Sequence, residues 1–301
     1  MNLLPFVATV TLAAESVILP LSVHTVKPVV SFADLMKFVG VAADPGEVLG
    51  TGTFSATIVA GEAAVAEVRH TTKPQYTIVF LGDSMIDTLG SDLRLVDDEL
   101  RRVYPGASFT LLNYGVGGEN ILSGLERVTR DTTYVGLARP SIISLQPDLV
   151  VVESFAYNPF PFETGALEQH WLSLAYIVDA ISANLPETKI VIAVTIAPNS
   201  TVFGDSAPGV AFDAQDKRER TATIKRYLDN ALRFAQSQHL PVADVYHTSL
   251  DWHGEGKLLY INPGDHIHYS DAGRQLFART VVNTIVSHKL LEDTPLEARE
   301  Q

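Results

Sequence analysis

The sequence predicts an α/β protein whose main domain is a five-stranded parallel sheet wound on both faces by helices, a three-layer flavodoxin-like arrangement. Short apolar runs recur between residues 76 and 246, with stretches at helical spacing between them. That alternation is the pattern of a parallel sheet with crossover helices. The glycine-rich and polar segments fall after the runs, where such sheets present their ligand-binding edge.

Taken in order, Tyr76 to Leu81 reads as a strand buried on both faces. Ser91 to Val103 follows as a helix, with Leu93, Leu95, Val96 and Leu100 at helical spacing. Phe109 to Leu112 is the second strand and Asn120 to Val128 the next helix. Asp148 to Val152 is the third and most hydrophobic strand. Leu167 to Leu185 is a long amphipathic helix that Pro186 ends. Lys189 to Ile196 is the fourth strand. Asp216 to Gln238 is the second long helix, with Ile224, Leu228, Leu232 and Phe234 on its apolar side. Val242 to Tyr246 is the fifth strand, and Ala272 to His288 closes the domain.

The main domain therefore spans 71–290, between an extension at 1–70 and an acidic tail at 291–301. The extension is rich in Val, Ala, Thr and Gly and reads as short strands and turns. Its first 22 residues carry a second reading. Leu3 to Leu21 is apolar, with Glu15 its only charge, as in a signal or membrane anchor. Against this, no Lys or Arg precedes it, and Pro5 and Pro20 interrupt it. The anchor reading would associate residues 1–22 with a membrane and place the chain in the cell envelope or outside the cell. The strand reading would not. The run Gly50-Thr51-Gly52-Thr53-Phe54-Ser55 lacks the Lys-Ser/Thr end of a phosphate cradle and reads as a turn.

Composition excludes several classes. The chain has 301 residues, 46% hydrophobic and 19% charged, which is ample for a folded core. Its net charge of -13 and lack of a basic run argue against nucleic acid as a partner. The absence of cysteine excludes disulfides, zinc-thiolate sites and a cysteine nucleophile. Oligomeric state is not legible.

Four segments after predicted strands carry chemistry. Gly82-Asp83-Ser84-Met85 follows the first strand, and a strand, sharp turn and helix expose a serine nucleophile. The Ser84 amide would lie at the helix start, where it can stabilise an oxyanion. Asp265-His266-Ile267-His268 supplies an imidazole to take the serine proton and a carboxylate to orient that ring. Asn113 to Asn120 contains Gly115, Gly117 and Gly118, which let backbone N–H groups approach an oxyanion. Glu153 to Asn158 places a side-chain amide on the same rim. Alone, each segment has a plain reading as a cap, turn or loop. Together they lie along one sheet edge.

These residues resemble the SGNH hydrolases, also called GDSL esterases or lipases, over about Gln75 to Ser287. The first block matches Gly82-Asp83-Ser84, the second-block glycine matches Gly118, and the last block matches Asp265 and His268. Ser270-Asp271-Ala272-Gly273 is similar to the family's lead into its final helix. The third block departs. The usual Gly-x-Asn-Asp is replaced by Phe155-Ala156-Tyr157-Asn158-Pro159, with Asn158 the best match for the asparagine and Tyr157 the alternative one residue earlier.

The resemblance implies a serine esterase with Ser84, His268 and Asp265 as triad. It implies an oxyanion hole from the Ser84 and Gly118 amides and the Asn158 side chain, with Asp83 and Tyr157 near the substrate. It implies no metal and no organic cofactor. The implied substrate is a small-molecule, glycan or lipid ester, with short acyl or O-acetyl groups preferred.

Two rivals remain. His247, His253, His266 and His268, with Asp251 and Asp265, raise a metal-dependent hydrolase, although their spacing matches no standard zinc signature. The irregular third block raises a carbohydrate- or peptide-binding module with a dead site. Asp251 to Leu258 has a partial likeness to a calcium loop, and a tight turn accounts for it better.

Overall fold

The computed structural model describes residues 8–11, 55–58 and 69–292. The chain divides into two units, Met1–Val65 and Ala66–Gln301. In the first unit, strand β1 (Ala8–Thr11) pairs antiparallel with β2 (Ser55–Ile58), Ala8 opposite Ile58 and Thr11 opposite Ser55. The rest of the predicted extension, including most of the apolar first 22 residues and Gly50 to Phe54, lies outside the described residues, as does the tail beyond Glu292. No helix among the described residues is long and apolar enough to cross a membrane.

The second unit is built on β3 (Gln75–Gly82), β4 (Ser108–Gly115), β7 (Leu149–Glu153), β8 (Lys189–Val194) and β9 (Val242–Asp244), in the order β4-β3-β7-β8-β9. All four pairings are parallel. The five predicted strands are therefore present and aligned, with β3 central enough to pair on both edges.

Side chains of a strand alternate between faces, and β3 divides its own accordingly. Val79 and Leu81 join one buried cluster, while Tyr76, Ile78 and Phe80 join the other. On the first face lie α3 (Ile121–Thr129), α5 (Ala166–Asn184) and α6 (Ala214–Ser237). On the second lie α2 (Arg94–Val103) and α8 (Asp271–Ser287). Three layers result. Phe80 and Phe277 are fully buried, and each contributes about 1.5–3 kcal/mol of transfer free energy.

Local sequence fixes the helix starts. Asn120 accepts from Leu122 N, Ser270 accepts from Gly273 N, and Asp213 with Asp216 forms a capping box on α6. The helix expected to start at Ser84 is the single turn α1 (Ser84–Asp87). The hairpin β5 (Thr132–Tyr134) with β6 (Leu137–Arg139), α4 (Ile142–Leu145) and α7 (Val245–Ser249) have no counterpart in the sequence reading. Tyr246, expected at the end of the fifth strand, sits in α7 because the Asp244 carboxylate caps that turn at His247 N.

Candidate active site

Ser84 stands two residues beyond β3, as the first residue of α1. Asp83 caps that helix, its Oδ1 accepting from Met85 N at 2.8 Å. The helix is a single turn. Any positive potential at Ser84 therefore comes from a few local N–H groups. Close approach explains the glycines around it. A Cβ on Gly82 would sit 2.3 Å from Ile86 Cγ1, and one on Gly115 would sit 2.1 Å from Asp87 N. Asn113 staples the same turn from β4, its Nδ2 donating to Ile86 O at 2.9 Å and Gly90 O at 2.8 Å.

His268 and Asp265 come from the long connection between α7 and α8, not directly from a strand end. The loop is closed by Asn262 N donating to His268 O at 2.8 Å and by the bridge between Ile261 and Tyr269. Inside it, the His268 Nδ1–Asp265 Oδ2 distance is 2.9 Å. Asp265 Oδ1 accepts from Ile267 N at 2.8 Å and His268 N at 3.0 Å, and Asn262 Nδ2 reaches Oδ2 at 3.2 Å. Burial by itself raises the Asp265 carboxyl, but the hydrogen bonds from the His268 ring and from these two N–H groups outweigh it and hold it below its ordinary value.

One cleft of about 960 Å³ collects Ser84, Gly117, Gly118, Tyr157, Asn158 and His268. Phe160, Phe162, Phe203 and Phe212 give it an aromatic lining, beside the charged Glu219, Arg220 and Arg226. Phe160 stacks on Phe162 at 5.2 Å and Phe203 on Phe212 at 6.1 Å. Four potential reaction partners in the cleft are open. Among the described residues, neither the Ser84 hydroxyl nor His268 Nε2 makes a hydrogen bond, and the Ser84 and Gly118 amides donate to none. Ser84 and His268 are thus not in direct hydrogen-bond contact. Such contacts are commonly long in unliganded enzymes and tighten with substrate.

The third block has its own geometry. Phe155 takes a left-handed backbone, φ 51°, at the glycine position of the alternative alignment. That conformation is costly for a residue with a Cβ. Its ring is buried under Arg127 and fills the space above Gly124, where a Cβ would meet Phe155 Cζ at 2.5 Å. Counted from Phe155, Tyr157 falls where the asparagine is usual. The Tyr157 hydroxyl, however, is spent on Ile196 O at 3.1 Å. Asn158 Nδ2 donates to Asp83 Oδ2 at 3.0 Å, leaving a second N–H on that nitrogen.

Asp83 differs from expectation. It is fully buried and does not line the cleft, because its oxygens are turned inward to Met85 N and Asn158 Nδ2. It anchors a cleft residue and makes no wall for substrate. Beside it lies a second fully buried carboxyl, Glu153, whose Oε1 accepts from Ser154 Oγ at 2.6 Å and Oε2 from Asp83 N at 3.4 Å. Burial, then the Asp83 charge, push the Glu153 carboxyl well above its ordinary value, and burial also raises Asp83. The buried cation nearby is Arg127, which donates through Nη1 to Gly82 O at 2.9 Å and to Tyr114 O. Burial lowers its guanidinium to about 10. Two buried carboxyls with one buried cation balance when the pair retains a proton. The sequence reading assigned no role to Glu153 or Arg127. The one signal was a charged residue at the end of an apolar strand and another on the apolar side of a helix.

Two of the other histidines raised as metal ligands are held by separate partners. His266 Nδ1 meets Asp205 O at 2.8 Å and His247 Nδ1 meets Asp244 Oδ2 at 2.7 Å. Among the described residues no three metal-ligating side chains gather. Asp251 Oδ1 accepts from His253 N and Glu255 N, which makes its segment a capped turn.

The parallel sheet, covered by helices on both faces, brings these segments to one cleft. Residues 80–276, about two thirds of the chain, match the model of the GDSL-like Lipase/Acylhydrolase family; the protein belongs to that family and is an ester-bond hydrolase. Solved structures with the same fold include an acetyl xylan esterase, AlAXEase, at 15% identity and TM-score 0.50, covering 69% of this chain and 99% of that one. A gut microbial diltiazem-metabolizing enzyme, BT4096, matches at 18% and 0.50, covering 73% and 48%. Axe2, an acetylxylan esterase from Geobacillus stearothermophilus, matches at 16% and 0.44, covering 70% and 94%. No functionally curated protein is significantly similar in sequence.

Proposed function

We propose that this ester hydrolase works through an acyl-enzyme on Ser84, with His268 as general base and Asp265 orienting the imidazole. The reading is carried by the 2.9 Å Asp265–His268 pair opening onto the same cleft as Ser84. With Nδ1 held by a carboxylate, the proton-accepting nitrogen of the ring is Nε2, the atom free of protein partners. His268 removes the Ser84 proton as the hydroxyl attacks the ester carbonyl. The Ser84 and Gly118 amides and the second Asn158 Nδ2–H hold the oxyanion, and His268 protonates the departing alcohol. Water then attacks the acyl group, giving its proton to His268, which passes it to Ser84 Oγ as the acyl–oxygen bond breaks and the acid leaves.

Short acyl groups, including O-acetyl groups on a glycan, are the proposed substrates. An acetyl group occupies a small part of 960 Å³, so the aromatic lining is left for the alcohol portion. A panel of p-nitrophenyl esters from acetate to decanoate tests this. Turnover greatest at acetate or butyrate, and lower by about 10⁶ in S84A, is expected. Folded protein without turnover on any member would instead favour a binding module. A maximum at decanoate would remove the short-acyl reading.

A further inference from the structure

We infer that Tyr134, on the β5–β6 hairpin, is a positioning residue that locks the oxyanion loop to the turn bearing the nucleophile; this rests on the function proposed above. The hairpin follows α3 and lies outside the blocks that carry the family resemblance. It closes through a tight turn with Val135 at φ 50° and Gly136 at φ 75°. The Tyr134 hydroxyl donates to Asp87 Oδ2 at 2.7 Å and accepts from Gly117 N at 3.2 Å. Asp87 is the last residue of the turn that begins at Ser84. Gly117 immediately precedes Gly118, and both line the cleft. One phenol therefore spans the two sides of the oxyanion hole.

The loop needs such a tie. Gly115, Gly117 and Gly118 leave the backbone with little intrinsic preference, and Gly118 sits at φ 75°, so its N–H direction is not set by the chain. Tyr134 fixes the preceding amide. Arg139, from the other strand of the hairpin, fixes the start of the loop by donating to Gly115 O at 2.9 Å. Its guanidinium also lies 4.6 Å from the centre of the Tyr134 ring, holding the phenol in place. The bond to Asp87 is charge-assisted, the stronger kind.

The test is a cycle of Y134F, D87A and the double variant, followed by steady-state kinetics on p-nitrophenyl acetate and thermal unfolding. Y134F keeps the ring over Arg139 and removes only the hydroxyl. Its kcat should fall about 10-fold with KM within about twofold, because an oxyanion donor acts in the transition state. The double variant should lose no more than the worse single, since both break one tie. A wild-type kcat in Y134F, or losses that multiply in the double variant, would overturn the inference. Phosphonate labelling of the wild type separates this from the parent reading. If Ser84 is labelled and Y134F is unimpaired, only the positioning role fails. If Ser84 resists labelling in active enzyme, the nucleophile assignment fails and the inference with it.

Discussion

Replacing Gly115 by alanine should disable the enzyme while leaving it folded. Gly115 ends β4, where the strand runs against the nucleophile-bearing turn. Its φ lies outside the left-handed region, so alanine suits the backbone and only space is at issue. The new methyl would stand 2.1 Å from Asp87 N and 2.7 Å from both Asp87 Cα and the Ile86 carbonyl carbon. Ordinary contact begins near 3.4 Å, so the turn must withdraw by about 1.3 Å, the shortfall from 2.1 Å. The obstructing atoms are backbone and cannot swing aside. Overpacking of this kind costs about 1–3 kcal/mol, which a domain of this size survives. A 1 Å misplacement of reacting groups costs about 10² in rate. Kinetics on p-nitrophenyl acetate with urea unfolding should therefore show kcat down about 100-fold or more in folded protein. A G115A variant with kcat within twofold of wild type would refute the claim that this contact places Ser84.

Other perturbations probe the rest of the site. N158A should lower kcat by about 10²–10³, whereas Y157F should change kcat by less than about 10-fold; the reverse order would move the oxyanion role to position 157. The raised Glu153 carboxyl makes the folded state hold a proton that the unfolded state releases above its ordinary value of 4.5. Stability should then fall as pH rises above 4.5, by about 1.4 kcal/mol per pH unit while the pair keeps its proton. E153Q, neutral throughout, should show a flatter profile by urea unfolding between pH 5 and 7, and parallel profiles would show that Glu153 is ionised in the fold. F162A, which removes a half-exposed ring from the lining of the cleft, should raise KM for an aryl or sugar acetate and leave kcat nearly unchanged. A kcat effect without a KM effect would place that ring elsewhere in the reaction.

The layer architecture was legible because the central strands, buried on both faces, write continuous apolar runs, as in residues 149–152. The cleft residues Ser84, Gly118 and Asn158 were legible because the parallel sheet puts every strand's end on one edge. His268 and Asp265 were read from their residue types, their place before the closing helix and the spacing of the family's last block. Their loop follows α7 and is held by backbone bonds such as Asn262 N to His268 O, which side-chain patterns do not report. The β5–β6 hairpin escaped because its turn is Val135-Gly136. A β-branched residue at positive φ is not a turn signal. Asp83 was misplaced for a related reason. Sequence locates a side chain along the rim, but whether it faces the cleft or the interior depends on partners such as Asn158, brought in from another strand.

The central claim is a covalent acyl group on one serine. Acid-quenching the protein during turnover of p-nitrophenyl acetate, then mapping the peptides by mass spectrometry, tests it most directly. An acetyl group on the peptide containing Ser84, absent from S84A and accumulating more slowly in H268A, is the predicted result. Turnover with no acyl group on any residue, or with the group on a residue other than Ser84, would contradict it.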